Sequence, residues 1–201
     1  MPEYIVDPAD IVALEARVLT DRVLLIDFGA AFYHNEKPAQ IFTPAPYSSP
    51  EMLFQGELTS AVDKWAYGCL LYELCSDRIL IKLLFGWNND AMKDQVAMLG
   101  RPPDALWNNW TDRHKYFEED GTPKEAEGRR PKVEPLSLLQ RVRIVKKPVC
   151  ERKADTGMDE QLDQDLSDLY DLLKGVILYD TQSRLSFDAI ISHPFFSTAK
   201  K

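Results

Sequence analysis

A carboxylate held on a tight turn at the end of an apolar segment can fix a hard cation such as Mg²⁺ against phosphate oxygens. Asp27-Phe28-Gly29 is where this chain offers that chemistry, directly after the apolar run Val23-Leu24-Leu25-Ile26. The run reads as a buried strand ended by a glycine turn. Asp27 is then the candidate metal ligand, Phe28 an apolar anchor that sets the direction of the turn, and Gly29 the residue that reverses the chain without a Cβ clash. Three residues of common types also make a plain turn, so the motif gains meaning only from the residues downstream of it. Other chemistry is absent: His34, His114 and His193 are scattered, and no nucleophile elbow or Walker phosphate loop occurs.

The elements that must position these residues alternate between helix and loop. Asp7-Pro8 starts a helix in which Ile11, Leu14 and Val18 recur at steps of three and four. Residues 30–48 read as a loop containing Pro38, Pro44 and Pro46. From Ser60 to Leu74 apolar residues recur almost all round, the pattern of a helix at the centre of a domain, which should be buried. A helix over Asn89–Leu99, capped by asparagine in front, is closed by Gly100 ahead of Pro102-Pro103. Thr111 to Asp159 is rich in charge, with Glu118-Glu119-Asp120 and a basic series through Arg129, Arg130 and Lys132, and reads as a long, partly mobile insert. Helical spacing returns with Leu162, Leu166, Leu169, Leu172, Leu173, Val176 and Ile177, and Ser186 caps a last helix ending near His193-Pro194.

At 201 residues, 45% hydrophobic and 28% charged, the chain has the balance of one globular domain. Its longest apolar stretch, within Arg78 to Trp87, is interrupted by Lys82 and is too short to cross a bilayer, so no membrane association is expected. Cys69 and Cys75 fall in one predicted helix and Cys150 stands alone, which fits a reducing compartment, cytoplasmic or nuclear, rather than a disulfide framework. A net charge of −8 disfavours nucleic acid as a partner and suits basic peptides.

Further landmarks stand in order behind Asp27-Phe28-Gly29: Ser49-Pro50-Glu51, then Asp63-Lys64-Trp65-Ala66-Tyr67-Gly68, then Arg184 within Asp180-Thr181-Gln182-Ser183-Arg184-Leu185, then His193-Pro194-Phe195-Phe196. From about Val23 to Phe196 the chain resembles the C-terminal lobe of eukaryotic serine/threonine protein kinases. The resemblance implies a mainly α fold with a short β strand before the Asp-Phe-Gly turn and no N-terminal β lobe. It places an activation segment at 27–51, a central helix at 60–75, an insert at about 111–160 and final helices at 162–196. It also implies ATP and Mg²⁺ as cofactors, with Asp27, Phe28 and Gly29 at the nucleotide and Asp27 on the metal. Glu51 is implied to pair with Arg184, Asp63 to accept backbone N–H groups of a catalytic loop, and Trp65 and Gly68 to build the core. Thr43, Pro44, Pro46 and Tyr47 are implied to face a protein substrate. Thr43 lies eight residues before Glu51, one more than the family's common spacing, which leaves Thr43 and Pro44 as alternatives for one place.

Leu99-Gly100-Arg101-Pro102-Pro103 and the insert behind it look like the group of cyclin-dependent, mitogen-activated and SR-protein kinases, the CMGC group. An SR-protein-kinase-like member implies basic or Arg/Ser-rich protein substrates. Ser48 follows Tyr47 where that group usually has arginine.

The sequence contains no Gly-x-Gly-x-x-Gly, no Val-Ala-x-Lys and no His-Arg-Asp ahead of Asp27. Family spacing puts Ala9 at the base and Leu14 at the second metal ligand, and neither side chain can serve; Asp10 reads as a dipole partner in its helix. The 201 residues are therefore expected to be inactive alone, as part of a longer kinase. A catalytically dead, kinase-derived binding or regulatory module is the alternative.

Overall fold

A computed structural model describes residues 24–33, 35–38, 41–83, 88–125, 135–145 and 158–197, with backbone alone at 158–163. The predicted helix from Asp7, the basic series from Arg129 to Lys132 and Cys150 lie outside these ranges. The chain divides into two units, residues 1–31 and 32–201, each described by itself.

In the first unit Leu24, Leu25 and Ile26 are 80%, 84% and 81% exposed and belong to no strand. The expected buried strand is not seen, because an apolar run becomes a strand only when a neighbour pairs with its backbone. Phe28 begins a 3₁₀ turn, Phe28–Ala30, and is 68% exposed, so it is not the expected anchor. Asp27 itself carries the left-handed backbone, with φ 62, and Gly29 does not. The reversal expected of Gly29 is therefore made by Asp27, whose short polar side chain tolerates that region better than most.

The second unit is helical. A 3₁₀ turn, Ala45–Tyr47, leads into α1, Pro50–Leu53, where proline at the first position lacks an N–H that would have no helical partner anyway. Helix α2, Ala61–Ser76, buries Trp65, Gly68, Cys69, Leu71, Tyr72 and Cys75. The expected all-round burial is incomplete, since Leu70 and Leu74 are 45% and 64% exposed. Asp77 ends the helix at φ 54, and its N–H donates to Glu73 O at 2.8 Å.

Helix α3, Asn88–Leu99, is closed by Gly100 at φ +83, as its sequence predicts. Helix α4, Asp104–Trp107, leads into the predicted insert, whose first part is ordered: Trp107, Trp110, Phe117 and Phe54 form a buried aromatic cluster under Met92 and Val96 of α3. Residues 111–124 are thus folded on a second core, held by edge-on rings 5.8–6.2 Å apart and by Trp110 Nε1 donating to Asn89 Oδ1 at 2.8 Å. Burial of large aromatics offsets the entropy lost in ordering a charged loop. Helix α5, Leu138–Arg143, starts on a capping box in which Ser137 and Gln140 satisfy each other's backbone N–H.

Helix α6, Met158–Val176, lays Leu169, Leu172, Leu173 and Val176 against α2, forming the main core with Ile177. Ser186 caps α7, Phe187–Ile191, which stops just before His193-Pro194 as expected, and a further short helix α8, Pro194–Ser197, follows. No helix among the described residues is long and apolar enough to cross a membrane.

Candidate functional site

Glu51 in α1 and Arg184 before α7 are each 3% exposed, and the guanidinium meets both carboxylate oxygens at 2.7 Å. Two parallel N–H···O bonds of this kind need the planar fork that only arginine supplies. Arg184 also donates to Ala61 O at 2.7 Å and to Leu178 O at 2.8 and 3.0 Å, and lies 5.3 Å from the Trp65 ring. One cation thereby joins α1, the start of α2 and the segment after α6. Trp65 is fully buried, and the space beside Gly68 is closed: a Cβ there would stand 2.8 Å from Ile177 Cδ1 and from Val176 Cγ2.

Thr43, Pro44, Pro46 and Tyr47 come together in one turn. Tyr47 N–H donates to Pro44 O at 2.9 Å, and Ser48 Oγ donates to Thr43 O at 3.1 Å and Pro44 O at 3.3 Å. Two helices hold the turn from behind. Tyr47 OH donates to the Glu73 carboxylate of α2, and Gln95 Nε2 of α3 donates to Ser48 O at 2.9 Å. The negative charge of Glu73 on that bond holds the Tyr47 phenol above its ordinary pKa. Beside the turn opens a groove of about 950 Å³, lined by Ile41, Phe42 and Pro44 from the segment before it and by Met52, Leu53 and Leu58 from the segment after it. Lys37 and Glu57 form an ion pair at 3.0 Å between the same two chain segments.

Asp63 stands in the first turn of α2 with its side chain reaching solvent, and desolvation by the chain around it raises its carboxyl pKa above the usual range. No hydrogen bond from another described residue is directed at it, and residues 1–23, ahead of Asp27, lie outside the described residues. Asp27, in the other unit, is exposed and makes no side-chain cap to its turn. Among the described residues no three His, Cys, Asp or Glu side chains gather into a metal site. Asp27 can thus offer one hard oxygen to Mg²⁺, which ordinarily takes one or two carboxylates plus nucleotide phosphates and waters, and the described residues fit that cofactor only in part.

Sequence pattern did not reveal the role of Gln95, which is 0% exposed among apolar helix positions, nor that of Arg141. Arg141 is 2% exposed and binds Asp94 through both of its terminal nitrogens, and it donates to Leu80 O at 2.6 Å and Leu136 O at 2.9 Å. Asp90 and Lys93 make another buried pair at 2.6 Å, with Lys93 over the Tyr116 ring. His193 lies 3.3 Å from Asp171, away from the turn, and His114 sits in a 3₁₀ turn, Arg113–Lys115.

A family model described as protein kinase domain matches residues 14–196, a range that contains all of these landmarks. This chain belongs to the protein kinase family. It is 26% identical over 178 residues to serine/threonine-protein kinase ppk5 of Schizosaccharomyces pombe, covering 88% of this chain and 19% of that protein. Against serine/threonine-protein kinase AFC3 of Arabidopsis thaliana it is 28% identical over 178 residues, 88% of this chain and 42% of the relative. Against human dual specificity protein kinase CLK2 it is 27% identical over 183 residues, 91% of this chain and 33% of the relative. These relatives agree with the kinship to CMGC, SR-protein-kinase-like enzymes implied by the sequence. The chain spans less than half the length of each of these relatives.

Proposed function

We propose that these 201 residues are the substrate-facing part of a serine/threonine protein kinase, which in its complete form transfers the γ-phosphate of ATP to a protein hydroxyl. The observation that carries this reading is the turn Thr43–Ser48, tied to α2 and α3 from behind and set beside a groove. Phosphoryl transfer depends on positioning, and a rigid rim beside a concave surface is what holding a peptide hydroxyl requires. Asp27 serves as one Mg²⁺ ligand in the complete enzyme. The net charge of −8 favours basic or Arg/Ser-rich protein substrates, and the compartment is cytoplasmic or nuclear.

The 201 residues lack the glycine-rich loop, strand lysine and catalytic-loop base, so alone they are inactive. The test is a form extended by the upstream lobe: it phosphorylates a serine-containing protein substrate, and Asp27→Ala abolishes transfer. Full activity in Asp27→Ala overturns the assignment, and transfer to tyrosine as well as serine widens it to dual specificity.

A binding module without catalysis is the second reading, favoured because the turn and groove are well formed in a chain without those catalytic groups. Tight capture of a protein partner by the 201 residues without ATP, with biological function intact in Asp27→Ala, selects that reading.

A further inference from the structure

We infer that Gln95, buried in α3, is the positioning residue of the substrate-facing turn; this rests on the reading of Thr43–Ser48 as the substrate rim. Its amide reaches 47 residues back along the chain to donate to Ser48 O at 2.9 Å. Ser48 is the residue through which the turn closes, since its hydroxyl donates to the carbonyls of both Thr43 and Pro44. Whatever fixes the backbone of Ser48 therefore fixes Thr43 and Pro44. Neither of the other anchors does this: Tyr47–Glu73 holds an aromatic side chain, and Glu51–Arg184 acts on α1.

Core packing does not account for a glutamine here. Gln95 is 0% exposed, and its Oε1 is buried with no hydrogen-bond partner, as is Oγ of Ser49, the residue after Ser48. A buried polar atom left without a partner is unfavourable, and methionine would fill similar space in a helix without that cost. Turning the amide over offers no escape, because it would set Oε1 against the carbonyl oxygen of Ser48, acceptor facing acceptor. What glutamine supplies and methionine cannot is the donor on Ser48. Asn88, at the start of the same helix, lines the groove, so α3 both holds the rim and forms part of the groove wall.

Hydrogen exchange on the 201-residue chain separates positioning from plain core stability, because local opening is read amide by amide. Pro44 and Pro46 carry no N–H, so the informative amides are Thr43, Ala45, Tyr47 and Ser48. In Gln95→Met, the Tyr47 and Ser48 amides exchange about tenfold faster, the factor expected for one lost buried hydrogen bond, while α2 and α6 keep their native rates. Gln95→Leu, which likewise lacks any donor, loosens the same amides. Unchanged exchange at Tyr47 and Ser48 in Gln95→Met overturns the proposal. So does uniform acceleration throughout the chain, or the absence of a cooperative melt in both variants, since each makes Gln95 an ordinary core residue. Binding of a fluorescent basic serine peptide to the unmodified chain is measured alongside. No binding there overturns the substrate reading while the exchange result still decides whether Gln95 controls the turn.

Discussion

The Arg184 guanidinium embraces both oxygens of Glu51 at 2.7 Å, joining residues 133 apart in the chain where almost no solvent reaches either. Removing one partner leaves the other charge buried and unpaired, which costs about 3–5 kcal/mol. Arg184→Met and Glu51→Gln are each expected to lose about that much stability in urea melts, and the double variant less than their sum. Arg184→Lys keeps the charge but not the fork, so it falls between them and the native chain. Additive losses in the double variant would mean that the two side chains do not act as a pair.

Gly68 is small because α6 ends against it. A methyl group there would stand 2.8 Å from both Ile177 Cδ1 and Val176 Cγ2, two side chains fully enclosed by the core. Gly68→Ala gains helix propensity but overpacks the contact, and the net loss is expected at about 1–3 kcal/mol. Trimming the obstruction tests the cause. Ile177→Ala in the Gly68→Ala background should cost less than Ile177→Ala alone, as read by thermal or urea unfolding.

Much of this architecture was legible in the sequence because it rests on periodicity and on residues with special backbone demands. The apolar spacing of Leu169, Leu172, Leu173 and Val176 marks the face of α6 that packs on α2, and Gly100 marks the end of α3. The partnership of Glu51 with Arg184 was legible only through family resemblance, since nothing local in either segment points to a residue 133 positions away. Where pairing partners decide the outcome, pattern is a poor guide: Val23–Ile26 reads as a strand, and its described part, Leu24–Ile26, is exposed and in no strand. Charge also concealed order. Thr111 to Asp159 read as a partly mobile insert with nothing to mark its ordered part, yet Trp110 and Phe117 insert into a cluster with Phe54 and Trp107, which lie earlier in the chain. Within the candidate site, the turn from Thr43 to Tyr47 was singled out only through the family resemblance, whereas the hold of Gln95 on Ser48 depends on tertiary geometry that no spacing encodes.

Arg141 shows what else a charged residue can do inside the core. It is 2% exposed and satisfies Asp94 together with the carbonyls of Leu80 and Leu136, so it stitches α5 to α3 and to the segment after α2. Arg141→Met strands those acceptors together, and a loss of about 3–5 kcal/mol in urea melts is expected. In Asp94→Asn the arginine keeps the carbonyls of Leu80 and Leu136, so that variant is expected to cost less. Equal losses in the two variants would show that the carbonyl contacts of Arg141 contribute nothing beyond the ion pair.

Alkaline conditions provide a test of core burial. Burial pushes the Cys69 thiol up to about 12 and the Cys75 thiol up to about 11, from an ordinary 9.0. Both are acids whose folded-state pKa exceeds the unfolded value, so below pH 9.0 neither state ionises and the contribution is constant. Above it the unfolded chain releases the protons first, and stability falls as pH rises toward 11 and 12. The slope from one fully protected thiol is about 1.4 kcal/mol per pH unit. Tyr47, Tyr67 and Tyr72 are also raised and add to the same trend at higher pH. Urea melts at pH 8, about one unit below the ordinary thiol value, and at pH 10, about one above it, are expected to show this loss. Cys69→Ala starts from lower stability because of the cavity, yet its stability falls less steeply between the two pH values. An equal slope in Cys69→Ala would mean that the thiol ionises as readily in the folded chain as in the unfolded one, and that the core around α2 admits water.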